Sequence, residues 1–144
     1  MKQLLTLVFT LILFSVSAQN FPDALLGKWE NEDATVRFDF FKTGSMYNAK
    51  IIWLANPLAE NGQQKLDKNN PDKTLRNRPI VGLTILTGLQ FSVNNNMWIG
   101  GKIYSPEKGE AVACKIKLTN KNALSLIASK GIFSVTKKWK RYDK

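Results

Sequence analysis

The acids that a paired-carboxylate hydrolase would use are Glu30, Glu32, Asp33, Glu107 and Glu110, and all of them fall in or beside expected turns, where solubility explains them. The sequence has no His and a single Cys, Cys114. A Ser-His-Asp triad, a Cys-His pair and a His-ligated zinc are therefore excluded, and the residues point away from an enzyme and imply no cofactor. Asp67, Asn69, Asn70 and Asp72 are oxygen donors close enough in sequence to suggest a calcium loop. An EF-hand loop needs Gly at its sixth position and Glu at its twelfth. Counted from Asp67 these are Asp72 and Arg78, with Pro71 at the fifth, so the match fails and no metal is expected. Asx-turns that fold the segment on itself account for the same residues.

Arg76 and Arg78 lie two apart and share one side of an extended segment. They either hold a carboxylate or phosphate headgroup or pair with Asp67 and Asp72 to fix the loop. Phe38, Tyr47, Trp53, Trp98 and Tyr104 are candidates to line an apolar cavity, against the plainer alternative that strand aromatics simply fill a core. Lys137-Lys138-Trp139-Lys140-Arg141 is the densest basic run. On a strand its charges divide between two faces, a solvated edge being one reading and contact with anionic lipid another.

The elements that must position these residues read as short strands. Ala34-Thr35-Val36-Arg37-Phe38-Asp39-Phe40 alternates, with Ala34, Val36, Phe38 and Phe40 on one face. After a turn at Lys42 to Ser45, Met46 to Leu54 places Tyr47, Ala49, Ile51 and Trp53 on one side, which makes a hairpin. Ile80 to Val93 is too long for one flat strand, and Gly82 and Gly88 mark bends or bulges. Asn94 to Asn96 turns the chain into Met97 to Tyr104, where Gly100-Gly101 signals a bulge or a close backbone approach. Ala111 to Leu118, Ala123 to Ala128 and Ser134 to Arg141 follow, separated by turn residues. About eight or nine short strands in one domain predict an all-β fold, a single antiparallel barrel or sandwich, with closure favoured because it removes strand edges. Residues 55–79 interrupt the pattern with three prolines and many Asn, a long loop of the kind that often carries function, with room for a short helix over Leu58 to Leu66.

The N-terminus reads differently. A positive start at Met1-Lys2-Gln3, an apolar run from Leu4 to Val16 and the small-residue exit Val16-Ser17-Ala18 predict a secretory signal over residues 1–18, leaving residues 19–144 as the mature domain, periplasmic or secreted. The apolar run is shorter than a membrane span. Cleavage removes only Lys2 from the 21 basic residues and none of the 11 acidic ones, so the domain stays strongly basic. In an exported chain this charge suits an anionic lipid surface and solubility, and nucleic acid is not an expected partner. Cys114 has no partner in the chain, so an internal disulfide cannot support the fold.

Gly27-Lys28-Trp29 opens the mature domain and Trp139-Lys140-Arg141 closes it. This Gly-x-Trp with a terminal Arg resembles the lipocalin and calycin superfamily, in which the Trp lies across the closed end of the barrel and the Arg stacks on it. Further spaced residues carry a second resemblance, running through Ile52-Trp53, Asp67, Asn70-Pro71-Asp72, Leu75-Arg76, Arg78-Pro79, Gly82-Leu83, Leu86 and Gly88-Leu89. They continue as Trp98-x-Gly100-Gly101-x-Ile103-Tyr104-x-Pro106, Gly109, Gly131 and Trp139-x-Arg141. In order and spacing the chain resembles a bacterial family, domain of unknown function family 2147, from Gly27 to Arg141. It departs from that pattern near Ala111-Val112-Ala113 and Ser129-Lys130-Gly131. The resemblance implies a small exported protein with a lipocalin-like barrel of about eight strands, barrel closure by Trp29 and Arg141, and no established activity. The reading that follows is a non-enzymatic envelope protein holding a small apolar or amphipathic molecule. The alternative is a filled barrel that acts as an interaction module through its basic surface or the 55–79 loop.

Overall fold

A computed structural model describes residues 22–143, so the signal sequence expected over residues 1–18 lies outside the described residues. Eight strands follow one another in chain order: β1 (Gly27–Asn31), β2 (Val36–Thr43), β3 (Met46–Leu54), β4 (Thr84–Ser92), β5 (Met97–Ser105), β6 (Glu110–Asn120), β7 (Ala123–Lys130) and β8 (Phe133–Arg141). Each pairs antiparallel with the next, and β8 returns to β1 to close the barrel. The closing ladder is short: Trp29 lies opposite Arg141, Glu30 opposite Lys140, and Asn31 opposite Trp139.

Local chemistry sets the strand limits. The alternating segment does not begin at Ala34, which sits at φ 53 in a turn. There the Asn31 side-chain oxygen accepts the Thr35 and Val36 amides, so β2 starts at Val36. Gly44 at φ 58 takes the first place of the two-residue loop joining β2 to β3, where a positive φ matches the twist of the flanking strands. On β4 the strand begins only at Thr84. Its register against β3 shifts beside Gly88, whose amide donates to the Asn48 side chain at 3.0 Å. Both readings of Gly100-Gly101 hold: the register shifts between Trp98 and Gly101, and a Cβ at Gly101 would stand 2.6 Å from Leu89.

The interior is filled at one end. Trp29, Phe38, Phe40, Tyr47, Trp98 and Trp139 belong to one buried cluster with aliphatic residues of β3, β4, β6 and β7 between them. Phe38 stacks on Trp139 with ring centroids 4.0 Å apart and planes 6° from parallel, while Tyr47 and Phe91 pack on Trp98. This end carries the 3-10 turn Pro22–Leu25 and the β2–β3, β4–β5 and β6–β7 turns. The other end carries the β1–β2 turn, residues 55–83, and the β5–β6 and β7–β8 turns.

No helix forms between Leu58 and Leu66; an isolated bridge joins Leu58 to Gln64 instead. The only helical turn in that loop is the 3-10 segment Lys73–Leu75, which Asp72 caps by accepting the Thr74 amide at 2.9 Å.

Candidate functional site

The closed end is built around Trp29. Its ring is fully buried and its indole N–H donates to the Leu25 carbonyl at 2.9 Å. The Arg141 guanidinium lies 4.2 Å above the ring. It also donates to three main-chain carbonyls: Ala24 at 2.6 Å, Leu26 at 2.9 Å and Lys121 at 3.0 Å. One planar fork thus joins the N-terminal turn, the β6–β7 turn and the last strand, as a guanidinium can and an ammonium cannot. Nearby, Asp23 accepts from Tyr47 Oη at 2.6 Å and Lys42 Nζ at 2.9 Å. Those two bonds hold the Asp23 carboxyl below its ordinary value, while burial pushes the Tyr47 hydroxyl up.

The five cavity candidates separate. Phe38, Tyr47 and Trp98 are core residues of the filled half. Trp53 lies on the outer face, so its placement with Tyr47, Ala49 and Ile51 is corrected. Arg37 pairs with Trp53 but Phe38 pairs with Ile51, which leaves Ile52 as an extra residue on β3 and inverts the alternation beyond it. Outside the barrel, Arg37 is held between Trp53 at 4.0 Å and Tyr142 at 3.9 Å and bonds to Glu30 at 2.8 Å. This pairing, together with Lys140 at 3.3 Å, keeps the Glu30 carboxyl below its usual range. Trp53 also borders a cleft of about 220 Å³ with Ile52, Pro57, Lys65 and Pro79, between β3 and the long loop.

Tyr104 also points away from the interior, toward that loop. Its hydroxyl donates to Asp67 at 2.6 Å and is pushed up to about 12, first by burial and then by that carboxylate. Asp67 is wholly buried and its second oxygen accepts from Asn70 at 2.7 Å and Arg78 at 3.3 Å. Arg76 does not meet Asp72; it donates to the Asn70 carbonyl at 2.7 Å. Asn69 reaches across to the Glu107 carbonyl at 2.7 Å. A Cβ at Gly109, which stands at φ 66, would collide with the Asn69 carbonyl, so the loop approaches β6 as closely as a glycine allows. Asp67, Asn70, Arg76 and Arg78 are thus engaged with one another, Asp72 caps Thr74, and Asn69 ties the loop to the β5–β6 turn.

The open end holds what the sequence did not single out. A cavity of about 420 Å³ lies among β5, β6, β7 and β8. Its apolar wall is Ile103, Val112, Leu126, Ala128, Phe133 and Val135, and its charged rim includes Lys108, Glu110, Lys130 and Lys137. Ile103 pairs with Val112, Ala128 with Val135 and Leu126 with Lys137, so these residues share the inward face. The cavity exists because β1 ends at Asn31, opposite Trp139, and covers nothing of β8 above that point. The inward side of β8 from Phe133 to Lys137 is consequently exposed. The Phe38–Trp139 stack lies one inward position below Lys137. On the rim, Lys130 meets Glu110 at 2.6 Å and lowers that carboxyl.

An eight-stranded antiparallel meander closed by its first and last strands, with a Trp–Arg stack at the shut end and an apolar cleft at the other, is a lipocalin-like barrel. The fold resembles a solved structure, protein HP1028 from Helicobacter pylori, which belongs to the lipocalin family; the two are 25% identical over 83% of each chain with a TM-score of 0.69. The chain belongs to the family described as an uncharacterized protein conserved in bacteria (DUF2147), whose model matches residues 27–141. No curated protein matches the sequence.

Proposed function

We propose that this is an exported, non-enzymatic binding protein of a bacterial envelope that holds a small apolar or amphipathic molecule at the barrel mouth. The observation that carries this reading is the cavity of about 420 Å³ at the open end, with an apolar wall and a lysine-bearing rim. Its size falls within the usual range for small-molecule sites, and its few polar groups sit where an amphipathic ligand would leave its head. The lipocalin-like fold supports it, and the N-terminal residues 1–18 support export. The aromatics Phe38, Tyr47 and Trp98 act in this reading as the packed floor rather than as contacts, and the Asp67–Arg78 loop stiffens one side of the rim.

The test is displacement of a fluorescent single-chain amphiphile, paired with native mass spectrometry and organic extraction of the purified protein. Ala128 lies on the inner wall opposite Val135. Ala128→Trp should fill the cleft and weaken binding at least about tenfold, an effect of one large contact group. Equal affinity for the parent and the filled variant would remove the cleft as the site, and no binding of any amphiphile would remove the reading.

A further inference from the structure

The β7–β8 turn presents apolar residues where a turn ordinarily presents polar ones. Lys130 pairs with Phe133, so Gly131 and Ile132 form a two-residue loop, with Gly131 at φ 61. Ile132 is 94% exposed, Phe133 75% and Val135 54%. Single exposed apolar residues are ordinary, but three within four positions, at and just after the tip of one hairpin, form a patch.

The hairpin behind that tip carries charge of one sign. From Ala111 to Tyr142, which takes in β7, β8 and all of β6 after its first residue Glu110, the sequence contains Lys and Arg but no Asp or Glu. Lys137 projects to the inner side of β8 and Lys138 to the outer, so the strand carries ammonium groups on both faces four and five residues along from Phe133. Among the described residues neither has a carboxylate within 4.0 Å, whereas Lys130 is paired with Glu110. The carboxylates of Glu32, Asp33 and Glu107 at the same end belong to other turns.

We infer that the β7–β8 hairpin docks on an anionic bilayer, with Ile132 and Phe133 entering the boundary between headgroups and acyl chains and Lys137 and Lys138 meeting lipid phosphates. The shape favours a bilayer over a protein: the apolar surface is a protruding tip, and a stable protein interface needs about 800 Å² per partner. A second copy is disfavoured because pairing two exposed β8 edges would bring their lysines together. An anionic surface instead attracts each lysine held near it. Phe133 and Val135 also border the cavity, so docking would turn the cavity toward the lipid. The docking does not depend on the cavity holding a ligand.

The experiment is cosedimentation of the exported chain with vesicles of phosphatidylcholine alone and of phosphatidylcholine mixed with phosphatidylglycerol, across a salt series. The expected result is binding to the anionic vesicles that weakens as salt rises. Ile132→Ser/Phe133→Ser should reduce it at least about tenfold through lost apolar burial. Lys137→Gln/Lys138→Gln should reduce it about fivefold per lysine. Both variants should keep the parent melting temperature, because the replaced side chains are exposed. Ala128→Trp, which fills the cavity, should bind vesicles like the parent, so docking and ligand binding fail separately. Absence of binding to anionic vesicles would overturn the inference. So would binding that the tip variant leaves unchanged, or self-association in sedimentation that the tip variant abolishes.

Discussion

Replacing Arg141 by Lys keeps the positive charge and removes the geometry. The guanidinium spans three carbonyls at 2.6, 2.9 and 3.0 Å while stacked 4.2 Å above Trp29. An ammonium in its place reaches one of them. The bond to Lys121 is solvent-exposed and counts for little. Of the two part-buried bonds, to Ala24 and Leu26, one survives, and a charged bond of that kind contributes about 2 kcal/mol net. Loss of the flat stack on the indole adds about 0.5 to 1 kcal/mol. Arg141→Lys should therefore cost about 2 to 3 kcal/mol, and for a domain of this size a loss on that scale lowers the melting temperature by roughly 10 °C. Thermal unfolding followed by near-ultraviolet circular dichroism measures this directly. Amphiphile affinity should hardly change, because the fork sits at the end opposite the cavity. A fall of less than about 2 °C, against the several degrees that each kcal/mol commands, would show that the fork is not what shuts this end.

Two buried tryptophans should respond differently to Phe: Trp29 donates to the Leu25 carbonyl, while the Trp98 indole N–H has no partner among the described residues. Trp29→Phe should thus cost about 1 to 3 kcal/mol more than Trp98→Phe in urea unfolding, since it alone strands a buried acceptor; equal costs would refute the distinction. Tyr104 supplies a pH dependence, because its hydroxyl is pushed up from about 10 to about 12 in the folded chain. The folded protein keeps a proton that the unfolded chain releases, so this stabilisation is complete below pH 10 and is lost as pH rises toward 12. Urea titrations should show a steeper alkaline loss in the parent than in Tyr104→Phe, and parallel curves would contradict it.

The barrel was legible because most strands alternate cleanly and are punctuated by turn residues. The β2–β3 hairpin and the Gly100-Gly101 irregularity both follow from backbone chemistry that a sequence displays. Trp53 was misplaced because the Ile52 bulge leaves no trace in the pattern: Ile-Ile-Trp-Leu alternates in neither register. Arg78 met Asp67 as its charge suggested, but Arg76 chose a carbonyl, a choice that depends on how the loop folds back. The cavity residues Ile103, Val112, Phe133 and Val135 read only as inward-facing strand positions. What makes them a cleft is the shortness of β1, which decides how much of β8 is covered, and the residues of β8 do not encode that. The exposed Ile132 beside a turn glycine was the available signal.

Seven of the eight ladders join neighbours in sequence, and only the β1–β8 ladder joins distant ones. The meander can therefore form strand by strand as a curved ribbon with two free edges, through short turns everywhere except the long loop from β3 to β4. Joining those edges brings together groups 115 residues apart, Arg141 and Leu26. That junction rests on three residue pairs and one guanidinium fork. The native ring is in this sense a ribbon with a latch, and the latch should open before the ribbon unravels. Native-state hydrogen exchange should find a lower opening free energy for the amides of β1 than for those of β6, and a uniform value across both would mean that ring and ribbon unfold as one.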